Sequence, residues 1–167
     1  PLAAIGGRAS VMRSLAPLGT VYQAGTLSGN PLAVAAGLAT LKLIEVKPPY
    51  SRVDRLGQML VKGLAEAACE AGVPLACPRV GGVFTPFFLP RNPSNLMEAK
   101  RADTDRFAAF FQGMLAEGIY LPPAQFEAGF VSASHTEAEV KACIRAARNA
   151  FHSFHAQAHP RHEKTGS

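Results

Sequence analysis

The chain has 167 residues, of which 48% are hydrophobic and 17% are charged. This composition is typical of a globular protein with a buried core, and it excludes disorder for most of the chain. The net charge of +5 comes from dispersed basic residues with no aromatic-interleaved basic stripe, which argues against nucleic acid as a partner. No apolar run has membrane-spanning length, so we expect no membrane partner.

The cysteines bear on the cellular compartment. Cys69, Cys77 and Cys143 show no Cys-x-x-Cys spacing. An odd number of cysteines without a secretory segment argues against a disulfide scaffold and favours a reducing cytoplasm. The first residue is Pro1 rather than methionine, which fits a fragment or a processed product.

A polar turn, Gly25–Pro31, leads into a run of small residues. Asn30 suits the N-cap of a helix and Pro31 suits its first position, so the helix is predicted to begin at residue 31. Thr26 and Ser28 place hydroxyls beside the positive end of that helix, where a phosphate could bind. A turn that only reverses the chain direction is the alternative, because short glycine motifs are not specific.

The helix after this turn is apolar almost all round from Leu32 to Ile44. Such a pattern predicts a helix that is buried on most faces and links two domains. Pro48 and Pro49 end it, and we place the domain boundary there. The predicted organisation is 1–48 as the end of a large domain with its linking helix, 49–158 as a small domain, and 159–167 as a flexible tail.

The small domain alternates helical and strand patterns. An amphipathic helix is predicted over 51–71 and stopped by Gly72, and its apolar face consists of Leu56, Leu60, Gly63, Leu64 and Ala67. A strand with a bulge or bend is predicted over 80–89. A second helix is predicted over 103–117 from the apolar stripe of Phe107, Phe110, Phe111, Met114 and Leu115. Strands over 119–121 and 128–132 are expected to pair. Thr136 and Glu139 form a capping box for the last helix. The predicted fold is a small α+β domain with helices on one face of a sheet.

Two separated stretches carry a resemblance to a known family. The first is Leu15-Ala-Pro-Leu-Gly-Thr-Val-Tyr-Gln-Ala-Gly-Thr-Leu-Ser-Gly-Asn-Pro-Leu-Ala33, and the second is Gly118-Ile-Tyr-Leu-Pro-Pro-Ala-Gln-Phe-Glu-Ala-Gly-Phe-Val-Ser-Ala-Ser-His-Thr136. In this order they resemble the glutamate-1-semialdehyde 2,1-aminomutase branch of the class III aminotransferases, which use pyridoxal phosphate. The resemblance implies an α/β fold: the C-terminal portion of a fold type I transferase, mainly its small domain.

The resemblance also implies roles for single residues. Thr26 matches a threonine that binds the cofactor phosphate across a dimer interface, with Gly25 and Ser28 nearby. Tyr22 matches a tyrosine near the cofactor, and Glu127 matches a glutamate close to the substrate pocket. A tyrosine packed at a strand end and a solvated loop glutamate are the respective alternatives. Phe126 and Phe130 are expected to wall the pocket or fill the core.

The implied activity is isomerisation of glutamate-1-semialdehyde to 5-aminolevulinate for tetrapyrrole synthesis, by a homodimer with pyridoxal or pyridoxamine phosphate. The chain is expected to start after the Schiff-base lysine of the family, with Lys42 and Lys47 as surface residues, so it should be inactive alone. The alternatives are a class III ω-aminotransferase and a noncatalytic dimerisation or phosphate-binding module. Gly82 departs from the family pattern, in which we expect a serine.

Five histidines, His135, His152, His155, His159 and His162, include three that could share a helix face. Imidazole is a good metal ligand, but these residues lack fixed carboxylate or cysteine partners. We therefore interpret them mainly as tail histidines and expect no metal.

Overall fold

A computed structural model describes residues 3–157, with side chains described as far as Phe154. The chain divides into two compact units, Pro1–Pro48 and Pro49–Ser167. The tail predicted over 159–167 lies outside the described residues.

The first unit holds two helices, α1 at Ala9–Met12 and α2 at Pro31–Val46. Between them, a β-bridge joins Leu15 to Val21 and closes a loop. The Val21 amide donates to the carbonyl of Ser14 at 2.9 Å, and the chain then runs to the turn before α2. The predicted start of α2 at Pro31 is confirmed.

The expected burial of α2 is wrong for this chain. None of its residues is buried, and Leu32 and Val46 are 81% and 85% exposed. The apolar pattern runs all round the helix, but the first unit contributes only the short α1 as a further helix within the described residues. Too little chain is present in this unit to cover a 16-residue helix.

The second unit is the predicted α+β domain. Its helices are α3 (Tyr50–Glu70), α4 (Leu96–Ala99), α5 (Thr104–Ala116) and α6 (Glu137–Gln157), and its strands are β1 (Arg79–Val80), β2 (Val83–Phe84) and β3 (Gly129–Phe130). The strands form an antiparallel sheet in the order β1-β2-β3. Helix α3 packs against α6 and against strands β1 and β2, while α5 packs against α6.

Two strand predictions need correction. The stretch predicted as one bent strand over 80–89 contains a hairpin, because Gly81 has a φ of +57° and the chain reverses between β1 and β2. The segment 119–121 is not a strand, and β3 pairs with β2 instead. The short helix α4 was not predicted; the side chain of Asn95 caps it by accepting from the Glu98 amide at 3.0 Å.

The sequence departure at residue 82 has a steric cause. A Cβ built on Gly82 would lie 2.4 Å from Cγ1 of Val53 and 2.5 Å from the carbonyl oxygen of Val131. Helix α3 and the chain after β3 thus approach the hairpin too closely for a side chain. Serine does not fit at residue 82 on this backbone.

The core of this unit consists of apolar faces from α3, α5 and α6. Phe110 and Phe151 are fully buried and stack with ring centroids 4.7 Å apart, and Phe88 packs edge-on against Phe110 at 5.7 Å. Phe110 belongs to the apolar stripe predicted for α5, whereas Leu115 of that stripe is 43% exposed. The predicted face of α3 is confirmed in full, since it buries Leu56, Leu60, Gly63, Leu64 and Ala67.

The helix ends follow their predicted signals. Thr136 and Glu139 form the capping box: the Thr136 amide donates to the Glu139 carboxylate at 2.7 Å, and the Glu139 amide donates to Thr136 Oγ1 at 3.3 Å. Gly72, with a φ of +64°, follows the end of α3. Gly118, with a φ of +79°, follows α5. Both glycines adopt the left-handed conformation that closes a helix.

Candidate functional site

The turn before α2 is organised by its own backbone. The Ser28 amide donates to the Gly25 carbonyl at 2.9 Å, and the Asn30 amide donates to the Leu27 carbonyl at 3.1 Å. Gly29 has a φ of +73°, a conformation that glycine adopts without strain. A Cβ on Gly25 would lie 2.9 Å from Ser28 Oγ, so the absence of a side chain there lets the turn close tightly.

Asn30 caps the helix as predicted. Its Oδ1 accepts from the amides of Leu32 and Ala33 at 3.1 and 3.2 Å, and Pro31 has no amide to offer. The amides of Leu32 and Ala33 are therefore already satisfied by Asn30. What the first turn of α2 still provides to a ligand is the positive end of the helix dipole.

The donors that a ligand could use lie in the turn itself. Thr26 and Ser28 are exposed, and their hydroxyls have no hydrogen-bond partner among the described residues. The amides of Thr26 and Leu27 likewise have none within residues 3–157. Hydroxyls and amides grouped next to a helix N-terminus suit a phosphate group.

Tyr22 lies in the same segment, directly after the loop closed by the bridge between Leu15 and Val21. Its side chain is 83% exposed and makes no hydrogen bond to the described residues. Within the described part of the first unit the ring is not packed against other residues. The role of Tyr22 near the cofactor stays a prediction. Its hydroxyl is free to meet a ligand.

Glu127 belongs to the second unit, in the loop between Pro122 and β3. Its side chain is exposed, but its backbone is fixed: the Glu127 amide donates to the Ala124 carbonyl at 3.1 Å. Thr85 Oγ1 donates to the Glu127 carbonyl at 3.4 Å. The turn around Thr26 and the Glu127 loop are thus held by separate contacts in separate units.

Sequence reasoning missed Gln125, which is 4% exposed. Its Nε2 donates to the Pro86 carbonyl at 2.8 Å, whereas its Oε1 is buried with no partner among the described residues. The sequence offered a signal for the burial of Gln125, because this glutamine lies in an otherwise largely apolar stretch.

Phe126 and Phe130 do not fill the core, since they are 54% and 69% exposed.

A cavity of about 300 Å³ lies beside the sheet of the second unit. Its walls come from strands β2 and β3, the segment after α5 and the first turns of α6; among the lining residues are Phe84, Tyr120, Leu121, Phe130, His135, Glu139 and Cys143. His135 Nδ1 accepts from the Ser132 amide at 3.0 Å, so the neutral ring carries its proton on Nε2. The Glu139 carboxylate is used by the capping box.

Two thiols are chemically quiet. Burial raises the pKa of Cys77 to about 12 and that of Cys143 to about 11. Both side chains are therefore neutral at physiological pH and poor nucleophiles. Cys69 is exposed, and all three cysteines are free.

Within the described residues, no group of three or more His, Cys, Asp or Glu side chains is placed to hold a metal ion. His152 is exposed, while His159, His162 and the side chain of His155 lie outside what the structure describes. Among the described helices, none is both long and apolar enough to cross a bilayer.

The chain belongs to the class III aminotransferase family, described as "Aminotransferase class-III", whose sequence model matches residues 1–128. Two relatives agree with this membership. The chain is 52% identical over 147 residues to a glutamate-1-semialdehyde 2,1-aminomutase of Desulfatibacillum aliphaticivorans, covering 88% of this chain and 35% of the relative. It is 52% identical over 151 residues to the enzyme of the same name from Laribacter hongkongensis, covering 90% and 36%.

Solved structures share the fold. An omega-transaminase from Sphaerobacter thermophilus matches with a TM-score of 0.73 and 28% identity, over 87% of this chain and 34% of that protein. A glutamate-1-semialdehyde-aminomutase from Pseudomonas aeruginosa PAO1 matches with a TM-score of 0.68 and 22% identity, over 84% and 32%. The chain thus spans about a third of the length of the relatives that it matches. The predicted fold, part of a fold type I transferase, is confirmed.

Proposed function

We propose that the whole protein containing this chain is a glutamate-1-semialdehyde 2,1-aminomutase that forms 5-aminolevulinate, the precursor of tetrapyrroles. The observation that carries this proposal is the 52% identity to aminomutases over nearly nine-tenths of the chain. This identity exceeds the 28% shared with the omega-transaminase structure.

The residues of the turn fit the phosphate of pyridoxal or pyridoxamine phosphate. Thr26 and Ser28 supply hydroxyl donors, and the amides of Thr26 and Leu27 supply two more within the described chain. The close approach at Gly25 keeps these donors grouped. When bound, the cofactor acts as the electron sink for the amino-group transfer, and the protein supplies binding and orientation.

Two side chains are proposed for the substrate end of the site. The exposed hydroxyl of Tyr22 holds or moves a proton near the cofactor, and a phenol is suited to either donating or accepting. The carboxylate of Glu127 orients the amino group of the substrate. Its backbone is held on both sides by the hydrogen bonds to Ala124 and Thr85, which supports a fixed position for the carboxylate.

We further propose that these 167 residues alone do not turn over the substrate. Covalent catalysis by lysine needs a desolvated, positioned amine, and every lysine within the described residues is exposed: Lys42, Lys47, Lys62, Lys100 and Lys141. The binding turn can still hold a phosphate, so a noncatalytic phosphate-binding module is the reading that applies to the isolated chain.

The proposed assembly is a homodimer in which Thr26 binds the cofactor phosphate of the neighbouring subunit. The exposed apolar surface of α2 supports a buried position in such an assembly, because contiguous apolar patches of this kind mark contact surfaces. The free cysteines support a reducing, cytoplasmic location.

The experiment that tests the proposal uses the whole protein with pyridoxamine phosphate, glutamate-1-semialdehyde and no keto acid. Formation of 5-aminolevulinate is the expected result, since an aminomutase needs no external amino acceptor. The second candidate, a class III ω-aminotransferase, is favoured by the fold match to the omega-transaminase. Activity that appears only with other amines and an added keto acid would contradict the aminomutase and establish this alternative.

A further inference from the structure

We propose that Gln125 is a positioning residue that holds the Glu127 loop against the end of strand β2. The inference rests on the proposed function for the role of Glu127. The contact itself stands on the geometry of the second unit alone.

The first observation is the burial of a polar side chain. Gln125 is 4% exposed, and its Nε2 donates to the Pro86 carbonyl at 2.8 Å. The Pro86 carbonyl lies two residues after the end of β2 and accepts from this side chain. This bond joins positions 39 residues apart in the chain. It therefore fixes where the loop meets the sheet.

The second observation is that the same loop is tied to residue 85. Thr85 Oγ1 donates to the Glu127 carbonyl at 3.4 Å, and the Glu127 amide donates to the Ala124 carbonyl at 3.1 Å. Gln125 and Thr85 thus attach the loop at two points to consecutive residues after β2. Because the backbone of Glu127 is held there, the base of its exposed side chain has a defined position.

The third observation is that the buried amide of Gln125 is only half satisfied by hydrogen bonds. The Oε1 atom of Gln125 is buried and accepts nothing from the described residues, which costs free energy. An apolar residue of similar size would fill the same space without that cost. A glutamine at this position is best explained by the bond that it donates to Pro86, which only a donor can make.

Three variants of the whole protein test the proposal. Gln125→Met keeps the approximate side-chain length and removes the donor, while Gln125→Glu replaces the amide by a carboxyl. Gln112→Glu makes the same substitution at an exposed position on α5 and serves as the matched control. Steady-state kinetics, cofactor affinity and hydrogen exchange of the segment 124–130 are measured for each.

Gln125→Met is expected to lower kcat/KM by about 10- to 100-fold, because small misplacements of a reacting group have effects of this size. Its cofactor Kd stays unchanged, and its 124–130 segment exchanges faster. Unchanged kinetics overturn the proposal, even where exchange is faster, because the loop position would then not matter for turnover.

Gln125→Glu allows the activity of a single variant to be compared at different pH values. This test remains available if Gln125→Met fails to fold. Burial raises the pKa of a carboxyl at this site, and only its protonated form donates to the Pro86 carbonyl. The ratio of variant to wild-type kcat/KM should therefore fall as pH rises. A ratio as flat as that of Gln112→Glu overturns the proposal.

The two hypotheses fail in different ways. No 5-aminolevulinate from the wild-type protein contradicts the proposed function. In that case hydrogen exchange still decides whether Gln125 holds the loop: exchange in Gln125→Met that matches the wild type would overturn the tether itself. Thr85→Val, which removes the second attachment, is expected to speed exchange at Glu127 in the same segment.

Discussion

Ile144 of α6 packs directly onto the backbone of Gly63 in α3. A Cβ built on Gly63 would lie 2.4 Å from Ile144 Cδ1 and 2.6 Å from its Cγ1. The two longest helices of the second unit thus approach each other where one of them has no side chain. This contact is one of those between the helices that pack around the core.

Gly63→Ala is expected to destabilise the protein by about 1–3 kcal/mol, since overpacking a close contact has a cost of this size. The substitution would stabilise an exposed helix by about 1 kcal/mol, so the sign of the effect reports the contact. Denaturant unfolding measures it, with Gln58→Ala at an exposed position of α3 as the control. In an Ile144→Ala background the penalty should shrink. A variant as stable as the wild type would show that the Ile144 side chain moves aside at no net cost.

Thr26→Val is expected to weaken binding of the cofactor by the whole protein about ten- to a hundredfold, since a hydrogen bond to a charged phosphate contributes about 1.5–3 kcal/mol. Spectrophotometric titration measures the Kd. Thr40→Val is the matched control, because Thr40 Oγ1 bonds only to the Ala36 carbonyl within α2 at 2.9 Å. Equal affinities for the two variants would exclude Thr26 from the phosphate site.

Tyr22→Phe is expected to leave the fold unchanged, because the tyrosine is 83% exposed and its hydroxyl bonds to none of the described residues. Because the hydroxyl of Tyr22 is proposed to donate a proton, its removal should lower kcat of the whole protein about 10²- to 10⁴-fold. The thermal midpoint should not move. An unchanged kcat would remove Tyr22 from the mechanism.

The cysteines should differ in reactivity. Burial holds the pKa of Cys77 at about 12 and that of Cys143 at about 11, so an alkylating reagent near pH 8 should label the exposed Cys69 in the folded chain first. Mass spectrometry should find one label before unfolding and three after it. A Cys69→Ser control should remove the fast label. Cys143 labelling as rapidly as Cys69 would contradict the burial of that thiol.

Glu70 should contribute to stability in a pH-dependent way. The hydrogen bond from Arg148 Nε, at 2.6 Å, lowers the pKa of the Glu70 carboxyl below its ordinary value of 4.5. A lowered pKa in the folded state gives stability that is present above pH 4.5 and is lost as pH falls through the lowered pKa.

Glu70→Gln should therefore lower the thermal midpoint at pH 7 and have little effect in acid. Glu45→Gln, at an exposed position of α2, is the control. A Glu70→Gln effect that is equal at both pH values would show that the loss is not electrostatic.

The sequence predicted the long helices well because each carries its own signals. Of the stripe predicted for α5, Phe107, Phe110 and Met114 are buried, Phe111 is partly buried and Leu115 is exposed. This stripe and the reciprocal bonds of Thr136 and Glu139 depend on residues three or four positions apart. Such local patterns can be read without knowing the fold. The start of α2 was predictable for the same reason.

The predictions that were wrong concern features that depend on distant parts of the chain. Strands of two residues carry no periodicity, so the pairing of β2 with β3 could not be deduced from alternation. The exposure of α2 depends on what covers it and not on its own composition. The role suggested for Gln125 needed Pro86, 39 residues away, to be placed beside it.

At the start of α2, capping of the helix and binding of an anion depend on different residues. Asn30 satisfies the amides of Leu32 and Ala33 whether or not a ligand is present, so the helix does not depend on an anion to keep its first turn. Substitutions at Thr26 or Ser28 can therefore change the affinity for a phosphate while the first turn of α2 stays helical. Affinity at this turn and integrity of the helix behind it are free to evolve independently.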